Sequence, residues 1–321
     1  MPGPHSGQHH GLHLGELINE LISSIAPFSG LILTVTCCVI ALVRLYILDP
    51  FIPKMYSRDA LRNVSSTQMR SFTNHHVAAG TKILLVFLCG YPLLAIICGN
   101  ATPHTPYAKG SAVTLGDMMI VSSQIFTGMY IFELFFREKV SVISCAHHIG
   151  AIVIAQAAIA MSINFGHERD AVYEFILCFI WGMFCPPPPP NPLRNTSEAA
   201  DKICIGAFDV VAELWPHLAM ILYRVHHDNH ALLSRIFYAT AILEVVGTTT
   251  ETIIVMFLFG SLWDKWSLSL KITTPFLHTL FSAAQLWGVW IFYKMGKDQQ
   301  RKLKKSEEMR PNSGATAVES V

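Results

Sequence analysis

Charge is what this chain has least of. Only 14% of its 321 residues are charged, 52% are hydrophobic and the mean hydropathy is +0.42, against about 25% charged in an ordinary soluble domain. That shortage excludes a soluble globular fold for most of the chain. The net charge of +1 leaves no basic field, so no nucleic-acid partner is expected. The eight cysteines lie within or at the ends of apolar runs, where they pack as small hydrophobes rather than pair as disulfides. Lysine and arginine are missing from the first 27 residues, which also lack the basic start, apolar core and cleavage site of a signal peptide. With His5, His9, His10 and His13 they read as a flexible polar tail rather than a metal-binding tract.

Long apolar runs supply the fold class. Phe28 to Leu48, Val77 to Cys98, Leu115 to Phe135, Val142 to Ile163, Ile236 to Phe259 and Ile272 to Tyr293 each approach the length a bilayer core demands of a helix, with two further segments between Ala171 and Val225. A lone strand in hydrocarbon would leave backbone groups unpaired, so the expected architecture is all-α: a polytopic transmembrane helical bundle of about seven spans drawn from eight apolar segments. The expected divisions are a tail over 1–27, a first span and basic loop over 28–70, a main transmembrane domain over 71–295, and a basic then polar disordered tail over 296–321.

Seven rather than eight follows from topology. Lys54, Arg58, Arg62 and Arg70 follow the first span, and Arg137 and Lys139 the third, whereas the second loop offers only Lys109. The positive-inside rule then sets the N-terminus lumenal, and an odd number of spans brings the basic stretch Lys294 to Lys305 to the cytosol, where it can meet anionic head groups. The doubtful region is 185–207, where five consecutive prolines cannot continue a helix. It reads as either a Pro-rich insertion or a retained intron; without it, AVYEFILCFIWGMF joins FDVVAELWPHLAMILYRV as one apolar stretch.

His147 and His148 stand inside the run VISCAHHIGAIVIAQAAIAMSI. A polar pair there faces a bundle interior, a cavity or a partner. Asp209 and Glu213 share a helix face at i, i+4 spacing. The order YIFELF, short basic loop, CAHHIGAIVI and then FDVVAELWPHLAMILYR resembles the TLC domain, the family of TRAM, Lag1 and CLN8 proteins, over roughly Ser71 to Lys294.

The resemblance implies membrane lipids as ligands and the endoplasmic reticulum or connected membranes as the location. For the ceramide synthases of that family it also implies acyl-CoA-dependent N-acylation of a sphingoid base. His147 and His148 match that group's histidine pair, but its threonine falls on Ala151 and one of its two aspartates has no counterpart. In an acyltransferase His148 would be the base and Asp209 its orienter, with acyl-CoA as co-substrate. Otherwise His147, His148, Asp209 and Glu213 form a polar network holding helices together. The expected function is accordingly to bind, sense or regulate membrane lipid, with acyl transfer as the alternative and no resident cofactor or metal in either.

Other polar residues complete the picture. Glu244 and Glu251, seven positions apart on one face beside a threonine cluster, are expected either to line a lipid cavity or to bond to facing helices. Asp117 and Glu133 open and close their span, where interfacial placement costs little. A membrane di-iron hydroxylase or desaturase is a further alternative, from His75 with His76, His147 with His148 and HHDNH at 226–230. Only His226, His227 and His230 have the spacing that sets two ligands on one helix face. Of the sequons at Asn63, Asn100 and Asn195, Asn63 is expected in the cytosol and Asn100 stands close to its membrane boundary, which leaves Asn100 and Asn195 as the glycosylation candidates.

Overall fold

A computed structural model describes residues 22–57, 61–62, 64–97, 101–164 and 208–309; for 97, 164 and 208–213 the backbone alone is described. The glycosylation sequons at Asn63, Asn100 and Asn195 and the proline-rich stretch 185–207 lie outside these residues. Among the described residues all regular structure is helical: α1 (Ser29–Leu42), a π-helical continuation (Val43–Leu48), α2 (Asp49–Met55), α3 (Ser66–Ile97), α4 (Leu115–Phe136), α5 (Val142–Asn164), α6 (Phe208–Val225), α7 (His230–Ser261) and α8 (Leu268–Glu308).

Five stretches, Ala26–Met55, Ser66–Ile96, Leu115–Phe136, Val142–Ile163 and His230–Ser261, are helices long and apolar enough to cross a membrane. Their outward faces are greasy. Leu31, Val35, Val39 and Leu42 form an exposed stripe along α1, and Ile242, Ile253 and Phe257 do the same on α7. Polar residues such as Gln124, Thr127, Glu133 and Glu251 are buried instead. Apolar outside and polar inside is the arrangement of a multi-pass membrane protein, whose solvent is lipid.

The helices close on themselves. α3 packs on α4, α4 on α5, α5 on α8, α8 on α7, α7 on α6 and α6 back on α3, while α1 lies outside this ring against α4. Inside the ring, Gln156 of α5 donates to Gln124 and Thr127 of α4, both at 3.1 Å. The α4 N-terminus is set by a capping box in which Thr114 and Asp117 exchange side-chain and backbone bonds, and Ser23 donates to the same Asp117 carboxylate. Asp117 is thus buried as part of the helix cap.

The last helix departs from the sequence reading. α8 does not stop at Tyr293 but continues to Glu308, through residues expected to be a disordered tail. Packing explains the continuation: the Tyr238 ring covers Gly296, Ser234 donates to the Gly296 carbonyl, and Gln299 bonds His230 at 2.8 Å. Lys, Arg and Gln are also good helix formers. These pairs run in opposite order on α7 and α8, so the two helices are antiparallel neighbours over most of their length.

Candidate functional site

The ring encloses a cavity of about 370 Å³. It lies toward the end of the bundle where α3 and α5 begin and α4 ends, and it opens among side chains from all six ring helices.

Its organising contact joins two adjacent helices. Glu133, 2% exposed near the end of α4, meets His148 of α5, with Oε2 and Nε2 at 3.0 Å. The ring of Tyr130, one turn before Glu133, stacks on the His148 imidazole with centroids 4.5 Å apart and 27° between planes. Oε2 of Glu133 accepts a hydrogen bond from Nε2–H of His148, the tautomer in which the lone pair of an uncharged imidazole lies on Nδ1. Among the described residues Nδ1 of His148 and Oε1 of Glu133 meet no hydrogen-bonding group. The pair is therefore rigid on one side and chemically open on the other.

A second imidazole pair faces the first. His75 of α3 and His217 of α6 approach Nδ1 to Nδ1 at 3.2 Å, so one donates and the other accepts. His76 belongs elsewhere: its Nδ1–H donates to the Phe72 carbonyl at 2.8 Å and its Nε2 accepts from Tyr56 at 2.7 Å. Lys82, only 4% exposed, and Arg137 also line the cavity, as does Glu244. Formal charge is balanced between Lys82 and Arg137 on one side and Glu133 and Glu244 on the other. The remaining wall is greasy, with Ile143, Met220, Trp287, Ile291, Phe292 and Met295.

The sequence-predicted residues divide. His147 and His148 both line the cavity, and the Phe281 ring lies 5.1 Å from that of His147. Phe281 also explains Gly150: a Cβ there would stand 2.8 Å from the phenyl Cζ, so glycine admits the ring to the α5–α8 seam. The expected face-sharing of Glu244 and Glu251 is split by their contacts. Glu244 borders the cavity, whereas Glu251 accepts from Gln285 of α8 at 3.1 Å as part of a helix-to-helix tie. Asp209 and Glu213 are in α6, but their side chains lie outside the described residues. The carboxylate bonded to His148 is Glu133, a residue expected at the interface.

Sequence reasoning missed Lys82, Tyr130 and His217 altogether. Lys82 carried a usable signal, an ionisable group within an apolar run. The His226–His230 cluster stands apart: His226 and His227 are exposed on the α6–α7 turn, and His230 is occupied by Gln299. Among the described residues no group of three or more His, Cys, Asp or Glu is placed to hold a metal ion. No protein-family model, no curated protein and no solved structure matches this chain.

Proposed function

We propose that this chain is a TLC-like membrane protein that binds a membrane amphiphile, with the polar part of the ligand in the cavity of α3 to α8 and its chains running out toward lipid. The observation that carries the reading is the composition of the cavity wall: a balanced set of charged and imidazole groups beside Met220, Trp287, Ile291, Phe292 and Met295. A purely polar solute would leave the greasy wall unmatched, and a hydrocarbon would offer nothing to Nδ1 of His148, Oε1 of Glu133 and Nε of Arg137, which meet no hydrogen-bonding group among the described residues. At about 370 Å³ the space falls in the range of roughly 300–1,000 Å³ common to ligand pockets. That favours a head group and the start of a chain over a whole lipid.

The membrane frame follows. Counting α6 and α8 with the five more apolar helices gives seven spans. The antiparallel pairing of α8 with α7 supports α8 as one of them. An N-terminus in the lumen and a C-terminus in the cytosol, in the endoplasmic reticulum or connected membranes, complete the reading.

Gly288 offers the test. A Cβ there meets only the Glu244 carboxylate, at ordinary contact distances of 3.5 and 3.8 Å, so Gly288→Leu fills space near the cavity without displacing backbone. The expected result, read by mass spectrometry of lipid retained through detergent purification, is a several-fold fall with unchanged helix content. Retention equal to the unaltered protein contradicts the reading.

The Glu133–His148 bond favours one further reading, N-acyl transfer from acyl-CoA to a long-chain base. Glu133 would hold the Nε2 proton by a hydrogen bond while Nδ1 of His148 takes one from the amine that attacks the thioester carbonyl, then gives it to the CoA sulfur as the C–S bond breaks. Under this reading a panel of long-chain bases and acyl-CoAs gives N-acylated product that vanishes in His148→Ala. Absence of product from folded protein removes it and leaves the binding reading in place.

A further inference from the structure

Arg137 belongs to the walls of two cavities. One is the inner cavity already described; the other, about 440 Å³, lies outside it between the start of α3, the α4–α5 connection and the last turn of α6. Lys139 and Arg224 join Arg137 on the outer wall, and Ser65, Thr67 and Ser71 add hydroxyls. Ser65 and Gln68 exchange backbone and side-chain bonds at 3.1 and 3.3 Å, a capping box that fixes the start of α3 beneath them.

The anion on this wall, Glu138, is already engaged. It accepts from the Thr67 hydroxyl and from Arg70 Nη1 at 3.0 Å. The Thr67 bond first, and Arg70 after it, hold its carboxyl below the usual range, so it stays ionised and tied to α3. Arg137, Lys139 and Arg224 form no ion pair among the described residues, and the buried Nε of Arg137 meets no acceptor there. The outer cavity is left with an excess of positive charge and the hydroxyls of Ser65 and Ser71. Guanidinium forks with hydroxyls suit the tetrahedral oxygens of a phosphate, and positive charge at a span end suits an anionic leaflet.

We propose that the two cavities are one continuous site for an amphiphile that ends in a phosphate monoester, with the phosphate on Arg137, Lys139 and Arg224 and the body of the molecule in the inner cavity; a choline-blocked, net-neutral phosphodiester does not match that excess of positive charge. This rests on the amphiphile reading of the inner cavity and adds the chemical class of its ligand. Arg137, common to both walls, would set the length between phosphate and body.

The test is lipid retention from mixed micelles of phosphatidic acid and phosphatidylcholine, read by native mass spectrometry of the full chain. The unaltered protein is expected to prefer phosphatidic acid. Arg137→Gln, and separately Lys139→Gln with Arg224→Gln, are expected to lower phosphatidic acid retention roughly ten-fold, the size of one lost charge-assisted hydrogen bond, while phosphatidylcholine is unchanged. Arg137→Lys keeps the charge without the fork and is expected to retain part of the preference that Arg137→Gln loses, which separates loss of charge from misfolding.

Equal retention of the two lipids by the unaltered protein, or an unchanged ratio in the outer-cavity variants, overturns the inference. If Gly288→Leu still lowers both lipids, the inner cavity stands as a lipid site without a phosphate arm. If Gly288→Leu lowers neither, the amphiphile reading itself falls. Competition by soluble glycerol 3-phosphate as effective as phosphatidic acid would place the phosphate on a free solute and overturn the joined site.

Discussion

Glu133→Ala is expected to lower the thermal midpoint of the detergent-solubilised protein by roughly 4–5 °C, the equivalent of about 3 kcal/mol in a chain of this size. Glu133 is 2% exposed and its Oε2 lies 3.0 Å from Nε2 of His148. Truncation leaves a buried imidazole without its acceptor, and an orphaned buried donor costs more than a neutral hydrogen bond contributes. It also opens a small void beneath Tyr130, whose ring stacks on His148. Glu133→Gln keeps the volume and a carbonyl acceptor for Nε2–H, so it is expected to lose less than half as much. Combining Glu133→Ala with His148→Ala should cost less than the two single changes together, because the second change removes the stranded group. A midpoint within a degree of the unaltered protein for Glu133→Ala, by differential scanning fluorimetry, would show that the contact does not organise the cavity.

Gly116→Ala acts at the opposite end of the same helix. A Cβ on Gly116 would sit 1.9 Å from the carbonyl oxygen of Ile22 and 3.1 Å from Pro103 Cβ. Something must move. The first turn of α4 is held by its capping box and by Gly116 N–H on the Pro103 carbonyl at 2.7 Å, so the short segment Ile22 to Ala26 is the part that yields. Its release would expose Ile22 and Ala26, now 1% and 0% exposed, and break the Ser23–Asp117 bond. Burial of one isoleucine and one hydrogen bond together come to about 3 kcal/mol. Hydrogen exchange is expected to accelerate at the amides of Ala26 and Phe28, which now donate to Ser23 and Ile25. Gly30→Ala is the control, since its Cβ would meet nothing within 4 Å and helix propensity favours alanine. Equal exchange in both variants would mean that the segment does not pack on Gly116.

Much of the scaffold was legible in the sequence because lipid is a demanding solvent. Apolar runs such as Leu115 to Phe135 and Val142 to Ile163 coincide with α4 and α5 almost to the residue, since hydropathy and helix length are set by the same slab of hydrocarbon. The ends were less legible where tertiary contacts decide them. α3 begins at Ser66 rather than near Val77, since its first turns carry Phe72 and His75 into the interior. α8 outlasts its apolar stretch because Gly296 and Gln299 dock on α7.

The site was legible only by halves. An imidazole pair within an apolar run advertises an interior position, and His147 and His148 do line the cavity. Their partner does not advertise itself. Glu133 stands three residues from the end of its helix, where a carboxylate costs little at an interface, and only the fold of the α4–α5 connection brings it over His148. The contact between His75 and His217 spans 142 positions of chain, and no periodicity carries information over that distance. Glu244 and Glu251 illustrate the converse, for equal spacing on one helix left open which of them faces a cavity and which ties to Gln285.

The most direct measurement of the central claim is photo-crosslinking with a phospholipid carrying a diazirine near its glycerol, in the unaltered protein reconstituted in membrane, followed by peptide mapping. The account predicts adducts on the inner wall at Ile143, Met220, Ile291 or Met295, reduced by Gly288→Leu. Adducts confined to lipid-facing residues such as Phe87, Ile253 and Phe276, and unaffected by Gly288→Leu, would contradict it.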